Sequence, residues 1–143
     1  MILLDSTALV AAFIGEPAAP EVESLLRRGD ACITGANLTE VIDVLVRVFG
    51  NELEAVEAKL VPLLATTLSV TTIGEAEARR AAEIRILYYR RRDNPLSLGD
   101  CLLLGSAVVL DAAMATSDIP LARTARSEGL EVVALRDSTG KRP

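Results

Sequence analysis

The chain has no histidine and no tryptophan, and aromatic residues make up only 3% of it. Without histidine there is no imidazole base, nucleophile or metal ligand, so every mechanism built on a His-containing triad is excluded. Lys59 and Lys141 are the only lysines, which weakens any case for lysine-based catalysis. The two cysteines, Cys32 and Cys101, both sit in apolar runs. They are expected to be buried free thiols of a reducing compartment, not a disulfide. No apolar run approaches the ~20 residues needed to span a bilayer. The apolar N-terminus has no basic lead and is broken by Asp5. No targeting signal is expected, and the predicted location is cytoplasmic, away from any membrane.

What is present is aliphatic. Half of the 143 residues are hydrophobic, enough to bury a core in one domain. That core must be Leu, Val, Ile and Ala, which suits helices packed on a parallel sheet. The net charge is −5 and the pI about 4.8. This balance argues against a protein that coats nucleic acid by bulk positive charge, but not against a nuclease with a local basic patch.

Short apolar, β-branched runs alternate with helical periods along the chain. Strands are expected at Met1–Leu4, Ala31–Thr34, Leu68–Ile73, Ala112–Thr116 and Glu131–Leu135. Helices are expected at Ser6–Ile14, from Pro17 to a stop at Gly29, at Asn37–Phe49, at Asn51–Ala65 (kinked or shortened by Pro62), at Glu75–Arg91, from Leu98 and at Ile119–Ser127. Asp93-Asn94-Pro95 reads as a turn. The pattern predicts an α/β fold with a central parallel sheet of about five strands flanked by helices. The domain covers residues 1–135, and residues 136–143 form a polar tail expected to fray.

The run from Ser97 to Leu110, SLGDCLLLGSAVVL, reads as a buried helix carrying one charge in its first turn, Asp100. Three other acids occupy comparable places. Asp5 ends the first strand, Glu40 lies in the first turn after the second, and Asp118 follows the fourth. Taken singly, each has a structural explanation. Asp5 can cap the helix from Ser6, and Asn37-x-x-Glu40 and Ser97-x-x-Asp100 are capping-box patterns. Asp118 before Pro120 suits an N-cap. Taken together, they fall at the carboxyl ends of parallel strands, where open α/β sheets bind ligands. Four free carboxylates repel one another, and a divalent cation removes the conflict. An all-oxygen donor set suits Mg²⁺ or Mn²⁺.

The stretches MILLDSTALVA, NLTEVIDVLVR, LSLGDCLLLGSA and ATSDIPLARTA resemble the four acidic motifs of PIN-domain ribonucleases, most closely the VapC-type toxins of toxin–antitoxin pairs. The resemblance runs from Met1 to about Leu135. It implies a PIN-like fold and a metal-dependent endoribonuclease. It matches Asp5, Glu40, Asp100 and Asp118 to the acidic quartet that holds Mg²⁺ or Mn²⁺, and Thr116 and Ser117 to supporting hydroxyl positions. Ser117 stands where Ala is more usual and Ile119 where a polar residue is common; neither touches the acids. The resemblance also implies an RNA substrate, a neutralising antitoxin and a homodimer, and the apolar excess fits a chain that hides surface against a partner.

The other charged groups have simpler roles open to them. Asp43 and Arg47 share the Glu40 face, and an i,i+4 ion pair is favoured there over a catalytic role. Arg79, Arg80, Arg85 and the run Arg90-Arg91-Arg92 offer either a solvated helix face, contacts to RNA phosphates or docking of an acidic partner segment. Tyr88 and Tyr89 suit half-buried positions or base stacking. Two further functions remain open: a catalytically silent PIN-like scaffold that binds RNA or protein, and a phosphatase with Asp5 as nucleophile. The second is the weaker, because Thr7 stands where such enzymes carry a second acid.

Overall fold

A computed structural model describes all residues 1–143. At its centre are five parallel strands: β1 (Ile2–Leu4), β2 (Ala31–Thr34), β3 (Leu68–Thr71), β4 (Ala113–Thr116) and β5 (Val132–Ala134). Their order is β3-β2-β1-β4-β5. Seven α-helices connect and cover them: α1 (Ser6–Ile14), α2 (Ala19–Arg27), α3 (Gly35–Asp43), α4 (Leu53–Thr66), α5 (Glu75–Tyr88), α6 (Leu98–Leu110) and α7 (Ile119–Ser127). The α/β class and the five-stranded parallel sheet are those the alternating pattern predicts. No helix is long and apolar enough to cross a membrane.

The strands are apolar without alternation because both faces of the sheet are covered. In β1, Ile2 and Leu4 point to one face and Leu3 to the other. The register carries this across the sheet. Leu3 lies level with Cys32 and Met114, and Met114 with Val132. This row packs under α5, α6 and α7, against Ile84, Leu103, Leu104 and Leu121. Ile2, Leu4, Ile33 and Ala115 face the opposite layer, where Leu9, Val22, Val41, Leu45 and Leu60 come from the first half of the chain. Both cysteines are buried free thiols in the layer under α5, α6 and α7.

Several boundaries differ from the sequence pattern. Helix α3 starts at Gly35, not Asn37, because Thr34 is its cap: the Thr34 hydroxyl accepts from Asn37 N at 3.1 Å. The Asn37–Glu40 capping box does not form. After Asp43 the helix widens into a π-helical turn, Val44–Val48, in which Phe49 N donates to Val44 O at 3.1 Å. Helix α2 begins at Ala19 with Pro20 in its first turn, and α4 runs through Pro62 to Thr66 without being shortened. β3 stops at Thr71. Helix α5 ends at Tyr88, not Arg91, because the chain turns so that Arg90 and Asn94 exchange backbone hydrogen bonds of 3.0 and 2.9 Å. The tail makes contacts of its own. Asp137 accepts from the amides of Thr139 and Lys141, while Arg136 and Arg142 pair with Glu21 on α2.

Candidate active site

The strand order places β1 between β2 and β4, and the chain reverses its winding at β1. The first crossovers lie on one face and the later ones on the other, so a crevice opens at the carboxyl ends of β1 and β4. Asp5 follows β1 directly, and its amide donates to Ala115 O on β4 at 3.0 Å. Asp118 follows β4, and Glu40 sits in the second turn of α3, one strand over.

Asp5 is the most buried member. Only 2% of it is exposed. It occupies the N-cap position of α1 with extended backbone, yet its side chain makes no cap hydrogen bond. The carboxylate turns instead into a ring of hydroxyl and amide donors. Its Oδ2 accepts from Thr7 Oγ1 at 2.6 Å and Thr116 Oγ1 at 2.9 Å. Its Oδ1 accepts from Ser6 Oγ at 3.3 Å and Asn37 Nδ2 at 3.4 Å. These donors are themselves held. Thr34 Oγ1 donates to Asn37 Oδ1 at 2.6 Å, and Ser117 Oγ lies 3.4 Å from Thr7 Oγ1 in donating geometry. Burial pushes the Asp5 carboxyl up to about 6, against the lowering effect of the Thr7 and Thr116 hydroxyls; the charges of Asp100 and Glu40 push the same way as burial.

Asp118 caps α7. Its Oδ1 accepts from Leu121 N at 2.7 Å, and its own amide donates to Thr116 Oγ1 at 3.0 Å. Thr116 thus ties two of the acids together. Burial raises the Asp118 carboxyl, the Leu121 amide opposes this, and the Asp100 charge adds to it. Asp100 and Ser97 form the reciprocal capping box of α6, with bonds of 2.6 Å to Ser97 N and 3.0 Å from Asp100 N to the Ser97 hydroxyl. One carboxylate oxygen of each of these two caps remains outside the cap bond. Glu40 is exposed on the rim. On one side of it lies an open cleft of about 250 Å³ lined by Ser6, Thr7 and Ser117. On the other is a cleft shared with Asp43, Ser97 and Gly99.

The Asp100 charge thus acts on both Asp5 and Asp118, and the Glu40 charge on Asp5. No three of them stand close enough in these rotamers to share one ion. None of the four has a cationic partner: every ion pair in the molecule involves other acids. Asp43 is bound to Arg47, with Nη2–Oδ2 at 2.7 Å, as the i,i+4 spacing suggests. Of the basic residues, Arg79 pairs with Glu75 and Arg80 with Glu83 and Glu128. Arg85 donates to Leu96 O at 2.6 Å and lies over the Tyr89 ring. Thr7 and Asn37 donate to Asp5, a role the sequence pattern did not give them. Their one signal is a polar residue in the first turn of a helix that follows a buried strand.

Compared with known families, residues 2–136 match the PIN domain model, and the chain belongs to the PIN-domain family. Among solved structures, VapBC2 from Rickettsia felis, bound to a promoter DNA fragment, contains a chain 18% identical. The match covers 93% of this chain and 98% of that one, with a TM-score of 0.69. FitAcB from Neisseria gonorrhoeae is 20% identical, covering 92% and 96%, with a TM-score of 0.68. VapC20 of Mycobacterium tuberculosis, described as a sarcin–ricin loop cleaving toxin, is 16% identical over 78% and 85%, with a TM-score of 0.60. At these identities the structural likeness establishes the shared fold. No curated protein sequence matches the chain.

Proposed function

We propose that this PIN-domain protein is a Mg²⁺- or Mn²⁺-dependent endoribonuclease, the VapC-type toxin of a toxin–antitoxin pair. The observation that carries the proposal is the buried Asp5 carboxylate, ringed by donors and subject to the charges of Asp100 and Glu40, with no protein cation paired to any of the four acids. Nothing in a merely structural site requires this, since burying an unpaired carboxylate costs several kcal/mol. The donor set fits the ion class: all oxygen, no histidine, no thiol. Asp5 and Asp100 are assigned as direct ligands and Asp118 as a direct or water-mediated one. Glu40, long and exposed on the rim, would orient the attacking water or hold a second ion. A bound divalent ion would supply the Lewis acidity that activates water and offsets phosphate charge.

The chain's own groups do the rest. Thr7, Thr116 and Asn37 fix the Asp5 carboxylate so that it need not reorganise when charge develops nearby. Ser117 supports Thr7, and Asp118 sets the entry of α7. The Asp5-nucleophile phosphatase is disfavoured, because Thr7, which stands where such enzymes carry a second acid, is a hydrogen-bond donor to Asp5. A silent PIN-like scaffold draws on the present spread of the acids. An antitoxin and a second copy of the chain are the proposed protein partners. The exposed Ile86 (81%) and Leu98 (65%), beside an apolar groove between α5 and α6, support such contacts.

The test is cleavage of a mixed RNA pool by the purified protein with Mg²⁺, Mn²⁺ or EDTA, beside Asp5→Asn and Asp100→Asn. Cleavage that needs the ion and is lost in both variants supports the nuclease. A folded, partner-free protein that cuts no RNA supports the scaffold, and cleavage that survives EDTA refutes the metal site.

A further inference from the structure

Seven of the thirteen arginines are paired with acids: Arg27, Arg28, Arg47, Arg79, Arg80, Arg136 and Arg142. The other six are Arg85, Arg90, Arg91, Arg92, Arg123 and Arg126. They are not scattered. Four lie at the end of α5 and in the loop after it, and two lie three residues apart on one face of α7.

The structure joins these two groups. Asn94, almost fully buried at the end of the loop, donates to Tyr88 O and to Thr124 Oγ1 on α7, both at 3.1 Å. Arg123 donates to Asn94 Oδ1 at 2.9 Å and to Asp93 O. With the paired backbone bonds between Arg90 and Asn94, the loop is held at both ends while the side chains of Arg90, Arg91 and Arg92 stay exposed around an open concavity. The only acid in the loop is Asp93. A rigid loop that presents unpaired guanidinium groups is preorganised for phosphate.

Its position relative to the acids follows from helix and chain geometry. Thr124 lies six residues past Asp118, so the anchor is about 9 Å along α7 from the carboxylate edge. Pro95, Leu96 and Ser97 then return the chain from Asn94 to the cap of Asp100, a path of at most about 11 Å. One strand of RNA can span both. We propose that the loop Arg90–Asp93, braced on α7 by Arg123, holds the sugar–phosphate backbone of the RNA flanking the bond to be cut. This rests on the ribonuclease function proposed above. It also assigns the RNA contact to arginines other than Arg79 and Arg80, whose guanidinium groups are occupied. It explains how a chain of net charge −5 with an acidic site retains RNA: attraction is local and offset from the carboxylates.

The test measures binding of a labelled single-stranded RNA in EDTA, as a function of salt, for three folded proteins. These are the wild type, Arg91→Glu/Arg92→Glu, and Arg27→Glu/Arg28→Glu, which makes the same charge change on α2. Thermal melts check folding. Each phosphate contact to a single strand contributes about 0.7 to the slope of log K against log salt. The loop variant is expected to lose about 1.4 from the slope and about tenfold or more in affinity, and the α2 variant neither. Equal losses in both variants, or no RNA binding by the wild type, overturn the proposal. So does loss of polyglutamate binding with RNA binding intact, since the loop would then be a dock for an acidic protein. Cleavage with Mn²⁺ is scored separately. Binding through the loop without cleavage refutes the nuclease and leaves the RNA contact standing.

Discussion

Asp5 carries opposing demands in one side chain. Its carboxyl is pushed up to about 6 mainly by burial, from an ordinary value near 3.8. Between those two pH values the folded chain keeps a proton that the unfolded chain has lost. Stability therefore falls as pH rises through that window, and the cost is constant above it. Asp5→Asn removes the titration. Relative to wild type, the variant is expected to gain stability from pH 4 to pH 7, by up to about 3 kcal/mol, while losing all cleavage. Urea melts of both proteins across that range read the difference; a gap that does not change with pH would show that Asp5 is not strained by its burial. Thr116→Val tests the opposite side. It removes one donor from Asp5 and leaves the Asp118 amide without its acceptor, and is expected to destabilise by about 1–3 kcal/mol. The hydroxyl matters more than the volume, so Thr116→Ser is expected to restore most of the loss.

At the scale of elements, the tightest contact is between α5 and α6. A Cβ on Gly105 would stand 2.6 Å from Glu77 O and 2.7 Å from Ala81 N, both backbone atoms that cannot swing aside. Gly105→Ala gains intrinsic helix propensity of about 1 kcal/mol. Overpacking costs at least 1–3 kcal/mol and is expected to win, so the variant melts lower. Because α6 also carries Asp100, its displacement is expected to reduce cleavage; a variant that melts higher would show that the helices slide apart freely. The sequence made such elements visible where the physics is local: apolar runs, caps at Ser97 and Asp118, and the i,i+4 spacing of Asp43 and Arg47. It concealed what depends on distant partners. Nothing local in the sequence says that the Asp5 side chain will forgo its cap bond for hydroxyls 2 and 111 residues away and an amide 32 residues away, or that Asn37 is third in a helix rather than its cap. Arg79 and Arg80 looked as free as Arg91 and Arg92, because the acids that occupy them become neighbours only once α5 is helical and packed beside Glu128.

For the whole molecule, charge separation is the feature that function would use. Four acids without a cationic partner stand at the carboxyl edge of β1 and β4, and the exposed guanidinium groups of Arg90, Arg91 and Arg92 stand apart from them on a loop held against α7. A divalent ion that binds the folded acids but not the unfolded chain must stabilise the fold by mass action, by about 2.7 kcal/mol at a hundred times its Kd. For a chain of this length that corresponds to a rise of roughly 5–10 °C in Tm on adding Mn²⁺, reversed by EDTA. The rise is expected to vanish in Asp5→Asn and in Asp100→Asn and to persist in Arg91→Glu/Arg92→Glu, because the arginine loop faces phosphate and not the ion. Thermal melting with and without Mn²⁺ reads this without any RNA. An equal rise in the two acid variants would mean that the ion binds elsewhere. A wild type indifferent to Mn²⁺ would mean that the acids do not close around an ion, and would favour the silent scaffold over the nuclease.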